Sequence, residues 1–162
     1  MRNDLVDKKD TVILRELSGD SRIPITKIAS ALSISDVAVK RRLVKLEESG
    51  VIKKYTFIAN NKKLGYNIVA LIGINTYPDK MLDAIKVIKE KDNVTFIALT
   101  SGDHDLVVEM WAENSEELSR EVEELRKVPG VSEVYPSMLL DIIKEREPIP
   151  ERFFRNMLEK SS

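Results

Sequence analysis

The sequence predicts an α+β protein: an N-terminal three-helix helix-turn-helix domain joined by a strand and linker to a ferredoxin-like βαββαβ domain. Three observations carry this expectation. Apolar residues recur at helical spacing in three short segments of the first fifty positions, separated by Gly, Pro and Ser. Beyond Gly65 the sequence alternates β-rich runs with amphipathic segments in the order β-α-β-β-α-β. Between the two lies Asn60-Asn61-Lys62-Lys63-Leu64-Gly65, a polar stretch closed by glycine that reads as a linker. The expected domains are therefore 1–60 and 61–147, followed by a tail, 148–162.

The first helix is expected from Asp4 to Ser18, with Val6, Ile13, Leu14 and Leu17 at helical spacing. Asp4 and Asp7 suit the positive end of its dipole, and Gly19 stops it. Pro24 opens a second helix to Leu32, since the N–H it lacks would have no intrahelical partner there. Ile25, Ile28, Ala29 and Leu32 form one face of it. Leu32-Ser33-Ile34 makes a tight turn. Ser35 then caps a third helix running to about Ser49, which Gly50 ends. Val39, Leu43 and Leu46 give this helix a narrow buried stripe, and Lys40, Arg41, Arg42 and Lys45 occupy its other faces. Val51 to Ile58, with Tyr55, Thr56 and Phe57, reads as a strand.

The second domain opens with a strand from Ile68 to Tyr77, halted by Pro78, and a helix from Asp79 to Lys91 carrying Leu82, Ile85 and Ile88. Strands from Val94 to Ser101 and from Asp105 to Ala112 are joined by Gly102-Asp103-His104, and Met110 and Trp111 are expected in a core or interface. A helix from Ser115 to Val128, opening on an N-cap with an acidic first turn, is broken by Pro129-Gly130; Val131 to Lys144 is the last strand. In this fold the first and third strands are central. Pro136, which cannot donate to a ladder, then falls on an edge strand that tolerates it.

Ile68 to Ile72 and Val94 to Leu99 are apolar on both faces, yet two helices cover only one face of a four-stranded sheet. The other face calls for a second copy of the chain, so a homodimer, extendable to an oligomer of dimers, is expected. In the tail, Pro148, Pro150, Phe153, Phe154, Met157 and Leu158 mark a short helix whose apolar stripe would dock on a neighbouring subunit.

Composition narrows the function classes. The chain is 43% hydrophobic and 33% charged, as globular proteins are, and no apolar run approaches the ~18 residues of a membrane span. Met1-Arg2-Asn3-Asp4-Leu5 lacks the apolar core of a signal peptide, so a cytoplasmic protein with no membrane partner is expected. The absence of cysteine excludes disulfides, thiolate metal sites and cysteine nucleophiles. His104, the only histidine, has no partner at metal-ligand spacing, so neither a metal nor a cofactor is expected. P-loop, GxGxxG and GxSxG motifs are absent, and the chain is not expected to be an enzyme. The net charge of −1 conceals an asymmetry: 12 Lys/Arg against 8 Asp/Glu in residues 1–60, and 14 against 19 in residues 61–162. Only the first part suits a polyanion.

A capped, basic helix in a helix-turn-helix is the element that enters a DNA major groove: its first residues reach base edges while flanking Lys and Arg hold phosphates. Ala29 lets two helices cross closely, and Val39 and Leu43 fill the angle between them. The candidate DNA-binding residues are Ser35, Asp36, Val37, Ala38, Lys40, Arg41, Arg42 and Lys45, within a helix-turn-helix from Ile25 to Val44. Arg41 suits a bidentate contact to guanine, and Val37 or Ala38 a thymine methyl. A two-fold dimer would read a pseudo-palindromic operator in double-stranded DNA.

Leu5-x-Asp7-x-x-Asp10-x-x-Ile13-Leu14, Ile28-Ala29, and the run from Ser35-Asp36-Val37-Ala38-Val39-Lys40-Arg41-Arg42-Leu43 through Leu46-Glu47 to Gly50-Val51-Ile52 resemble the helix-turn-helix of the leucine-responsive (Lrp/AsnC) regulators. Leu64-Gly65-Tyr66 and Gly102-Asp103-His104-Asp105 match that family's linker and sensing domain, so the resemblance spans roughly residues 4–145. It implies a transcription regulator whose small effector, of the amino-acid class, binds near the Gly102 hairpin between neighbouring dimers. Three residues depart from the pattern. Ser33 stands where Gly is common for a left-handed turn, at about 1 kcal/mol; Ala38 replaces a frequent Thr; His104 replaces a frequent aromatic residue.

The hairpin's own chemistry fits such a ligand. A zwitterion needs a carboxylate for its ammonium and free backbone N–H groups for its carboxylate. Asp103 and Asp105 offer the first and the Gly102 turn the second, so Thr100, Ser101, Gly102, Asp103, His104 and Asp105 are the candidate effector residues. The same residues are ordinary turn chemistry, and that plainer reading stays open. So do two other functions: a metabolite-binding module whose helices contact protein or RNA, though RNA-stacking aromatic signatures are absent, and a small ferredoxin-like enzyme.

Overall fold

The computed structural model describes residues 5–159. Asp4, where the first helix was expected to begin, and residues 160–162 of the tail lie outside them. In chain order the elements are α1 (Lys8–Gly19), α2 (Ile25–Leu32), α3 (Asp36–Glu48), a 3₁₀ turn (Asn61–Leu64), β1 (Ile68–Thr76), α4 (Met81–Ile88), β2 (Val94–Leu99), β3 (Leu106–Ala112), α5 (Ser115–Arg126), β4 (Val131–Met138) and α6 (Glu151–Glu159). They form two compact units, one of Met1–Ile58 with Lys144–Ser162 and one of Ala59–Ile143.

In the first unit α1 starts later than expected because Asp7 is its cap rather than a first-turn residue. The Asp10 N–H donates to Asp7 Oδ1 at 2.8 Å and the Asp7 N–H to Asp10 Oδ2 at 3.1 Å, a reciprocal capping box. Pro24 likewise sits at the cap of α2, with Ile25 the first helical residue. Ser33 does adopt the left-handed conformation, φ 51 and ψ 46, and is the one non-glycine with positive φ among the described residues. Ser35 Oγ accepts from the Ala38 N–H at 3.2 Å, fixing the start of α3. Ile13, Ile28, Val39 and Leu46 are fully shielded at the centre, with Leu14 and Ala29 beside them.

The tail belongs to this unit, not to a neighbouring subunit. Phe154 is 3% exposed, and Ile149, Phe153 and Met157 pack against the same core as α1 and α2. The Phe153 and Phe154 rings meet edge to face, the Arg15 guanidinium lies 5.7 Å from the Phe154 ring centre, and it pairs with Glu151 at 2.7 Å. Three short helices shield little apolar surface by themselves, and a fourth enlarges the core that they share.

Val51 to Ile58 does not form a strand. Val51 and Ile52 turn into the helical core, while Tyr55, Phe57 and Ile58 are exposed. The β-propensity of Tyr, Thr and Phe acts through pairing with a neighbouring strand, and this unit holds none among its described residues.

In the second unit the expected linker is a tight turn in which Asn60 Oδ1 accepts from the Lys63 N–H at 3.1 Å and Gly65 takes φ 96. The sheet has the order β2-β3-β1-β4, every pair antiparallel, so β1 and β3 are central and Pro136 lies on the β4 edge opposite Ile72. β4 stops at Met138, short of the expected Lys144. Its one neighbour, β1, begins at Ile68, and the last bond is Leu139 N–H to the Val69 carbonyl at 2.8 Å. α4 is shorter at both ends than expected. α5 is capped by Asn114, not Ser115: Asn114 Oδ1 accepts from the Glu117 N–H at 2.9 Å. Ala70, Ile72, Ile74, Leu106, Val108 and Met110 face α4 and α5, forming the core with Ile88, Val122 and Leu125. The alternate residues, among them Leu71, Val107, Trp111, Phe96 and Tyr135, line the opposite face, which α4 and α5 leave uncovered.

Candidate functional site

The solvent-facing side of α3 is built by its spacing. Val37, Lys40, Arg41, Val44 and Lys45 recur at three and four residues and are all exposed, Val37 by 74%. Asp36 and Ala38 are half-buried at the first turn, next to the exposed Ser35 cap. An apolar row, Val37 and Val44, is thus flanked by three exposed cations of the kind that hold phosphates. Val44 carries no charge to mark it as a candidate, yet it falls three residues after Arg41 on the same face.

Arg42 lies elsewhere. It sits between Val39 and Leu46 on the inner stripe, and its Nη1 donates to Asp7 Oδ2 and to Asp10 Oδ1, both at 2.7 Å. Asp10 is fully buried. Hydrogen bonds to Asp10 and then Asp7 raise the guanidinium's pKa. Burial works to raise the Asp7 carboxyl, but the Asp10 N–H and the Arg42 guanidinium outweigh it and hold it below its ordinary value. Unlike Lys40, Arg41 and Lys45, Arg42 is thus held against the acidic start of α1 through its Nη1.

In the second unit the Thr100-to-Asp105 hairpin closes through the Thr100 N–H to the Asp105 carbonyl at 2.9 Å and the Thr100 hydroxyl to the His104 carbonyl. Ser101, Gly102 and Asp103 are exposed. Asp105 Oδ2 accepts from the Thr76 N–H at 2.8 Å and the Thr76 hydroxyl at 3.0 Å, so one of its oxygens is occupied in tying β3 to β1. His104 folds back over the uncovered sheet face. Its ring lies 4.9 Å from that of Tyr135, at 30°, with Nδ1 3.4 Å from Asn75 Oδ1. Gly73 makes this possible, because a Cβ there would fall 2.2 Å from His104 Cδ2. Gly73, Asn75 and Tyr135 were not legible as neighbours of the hairpin; only the strand register brings them there.

Gly73→Ala should therefore expel the ring and cost about 1–3 kcal/mol. Much of that should return in a Gly73→Ala/His104→Ala double variant. Thermal melts followed by Trp111 fluorescence measure both; equal losses in the single and double variants would contradict the close approach.

Among the described residues no group of three or more His, Asp or Glu is placed to hold a metal ion, and no helix is long and apolar enough to cross a membrane. A helix-turn-helix unit with a capped basic helix facing solvent, in a chain whose other unit is a βαββαβ sheet, defines a DNA-binding transcriptional regulator. Similarity to known proteins carries this to a family. The family model of the AsnC-type helix-turn-helix domain matches residues 6–47, and that of the Lrp/AsnC ligand binding domain matches residues 69–149. The HTH-type transcriptional regulator LrpA of Pyrococcus horikoshii is 39% identical over 141 residues, 86% of this chain and 100% of its own. The regulator FL11 of Pyrococcus furiosus is 30% identical over 90% of this chain and 97% of its own.

This chain belongs to the Lrp/AsnC family of transcriptional regulators. Its fold is shared with the transcriptional regulator NMB0573 of Neisseria meningitidis, solved as an L-Met complex (TM-score 0.84, 20% identity, 91% of this chain and 98% of that one). It is shared also with the feast or famine regulatory protein Rv3291c of M. tuberculosis complexed with L-methionine (TM-score 0.82, 23% identity, 89% and 99%). α6 lies beyond both matched stretches.

Proposed function

We propose that this regulator reads a pseudo-palindromic operator as a homodimer, through the exposed face of α3, and responds to an amino acid bound beside the Gly102 hairpin. The observation that carries the first part is the α3 face itself: Lys40, Arg41 and Lys45 around Val37 and Val44, on a helix whose start Ser35 fixes. Arg41 is the base-contacting residue on this reading, and Lys40 and Lys45 hold phosphates. The uncovered sheet face supports the dimer. It presents Leu71, Val107, Trp111 and Tyr135 where a second copy would shield them. Such a protein acts in the cytoplasm, where its operator is.

The L-methionine complexes of the two structural neighbours support the amino-acid class of effector, and the exposed Ser101-Gly102-Asp103 segment supports its position. Asp103, an exposed residue, is better placed than Asp105 to meet an ammonium group. A thermal-shift screen against the standard amino acids tests this. A ligand at a hundred times its Kd stabilises by about 2.7 kcal/mol, and Asp103→Ala should diminish the shift. A screen in which no amino acid shifts the melt would contradict the effector reading and leave the DNA reading standing.

A further inference from the structure

We propose that Arg42 is a positioning residue of the DNA-binding unit: by joining the Asp7–Asp10 capping box to the middle of α3, it sets the angle at which Arg41 and Val37 face DNA. The proposal rests on the reading that α3 meets DNA. It concerns a side chain that charge alone would assign to a phosphate.

The capping box and the ion pair are one structure. Each carboxylate divides its oxygens between two tasks. Asp7 Oδ1 accepts from the Asp10 N–H and Oδ2 from Arg42; Asp10 Oδ2 accepts from the Asp7 N–H and Oδ1 from Arg42. The Thr11 hydroxyl donates to the Asp7 carbonyl at 2.8 Å and fixes the turn further. The first turn of α1 therefore holds both acceptors rigidly before Arg42 reaches them. Asp10 is fully buried, where an unpaired carboxylate would be strongly unfavourable. The guanidinium is required there as its counter-ion.

Two consequences bear on DNA. A guanidinium facing two carboxylates leaves a local charge of one negative unit, which repels phosphate rather than holding it. Successive residues on a helix are also separated by about 100° around its axis. Anchoring Arg42 to α1, on the stripe of Val39 and Leu46, fixes Arg41 and Val37 at set angles on the outer side. Without the anchor, the apolar stripe alone would permit α3 to roll, because Val39 and Leu46 are non-directional contacts.

Arg42→Lys separates this role from phosphate binding. Lysine keeps the charge and can neutralise a phosphate, but its Nζ lies one bond short of the Arg42 Nη1 that reaches both Asp7 and Asp10. Binding is measured by fluorescence anisotropy with the full chain, using a duplex that the wild-type protein enriches from a randomised pool and a scrambled control. Arg42→Lys is expected to lower affinity for the enriched duplex about tenfold and for the control less than about twofold, since positioning governs base contacts and not the phosphate term. Asp10→Asn should reproduce the same selective loss although no carboxylate contacts DNA, and the two changes combined should cost little more than either. The salt dependence should keep its wild-type slope in all of them.

Unchanged binding by Arg42→Lys would overturn the proposal. So would wild-type selectivity in Asp10→Asn, or an Arg42→Gln salt slope shallower by about one per subunit, as removal of a phosphate-binding cation would make it. Failure of the wild-type chain to enrich any duplex would instead refute the DNA reading beneath it.

Discussion

Phe154→Ala is expected to melt the DNA-binding unit and leave the sheet unit folded. Removing a phenylalanine from a fully packed site costs about 3–5 kcal/mol, and small domains hold only about 5–15 kcal/mol in all. Phe154 is 3% exposed and packs with Phe153, Ile149 and Met157 on the core of Ile13, Leu14 and Ile28. The chain carries its own reporter for each unit. Trp111, the one tryptophan, belongs to the sheet unit, while four of the six α-helices among the described residues lie in the other. Far-ultraviolet circular dichroism should lose much of its helical signal at room temperature, while the Trp111 fluorescence melt stays near its wild-type midpoint. DNA binding should vanish with the helical signal. A variant that melted as wild type by both probes would show that the docked tail contributes nothing.

The second large effect is expected at the uncovered sheet face. Val107 lies opposite Gly73 in the β1–β3 ladder and opposite Ala98 on the other side, at the middle of that face. Val107→Asp would place a charge where the homodimer reading puts a dry apolar contact, at a penalty of several kcal/mol. The variant should scatter light as a monomer at micromolar concentration. Its operator affinity should fall by about a hundredfold or more, because the two half-sites are no longer engaged through one body. Its Trp111 melt should still show a folded unit. A stable Val107→Asp dimer would place the subunit contact elsewhere on the molecule.

Periodicity made most of the fold legible. The helical spacing of Ile13, Leu14, Ile28, Val39 and Leu46, the Ser35 cap and the β-α-β-β-α-β order all correspond to elements in the structure. What escaped the sequence depended on partners distant in the chain. Val51 to Ile58 carries the residues of a strand but has no strand beside it among the described residues of its unit. β4 ends where its pairing with β1 ends, which the β-rich composition through Ile143 does not reveal. The tail's apolar stripe was legible, but not the surface it covers.

In the site, Arg42 is the instructive residue. Its charge suggested DNA, while its spacing, three after Val39 and four before Leu46, already placed it on the inner stripe. Geometry outweighs charge there because Asp7 and Asp10 wait at the start of the facing helix. Ser33 is the converse case. Its position in the turn demanded a left-handed backbone, and the chain adopts it without glycine, at a cost of about 1 kcal/mol.

The central claim is that the α3 face of a dimer meets the phosphates of DNA, and its salt dependence tests this most directly. Affinity of the full chain for an enriched duplex is measured by anisotropy from low to physiological salt. Lys40 and Lys45, presented twice, should give a log–log slope of about −3.6, at about −0.9 for each phosphate neutralised. Arg41→Ala should weaken the specific site by about 1–3 kcal/mol. An affinity that stayed flat across that salt range would contradict the claim.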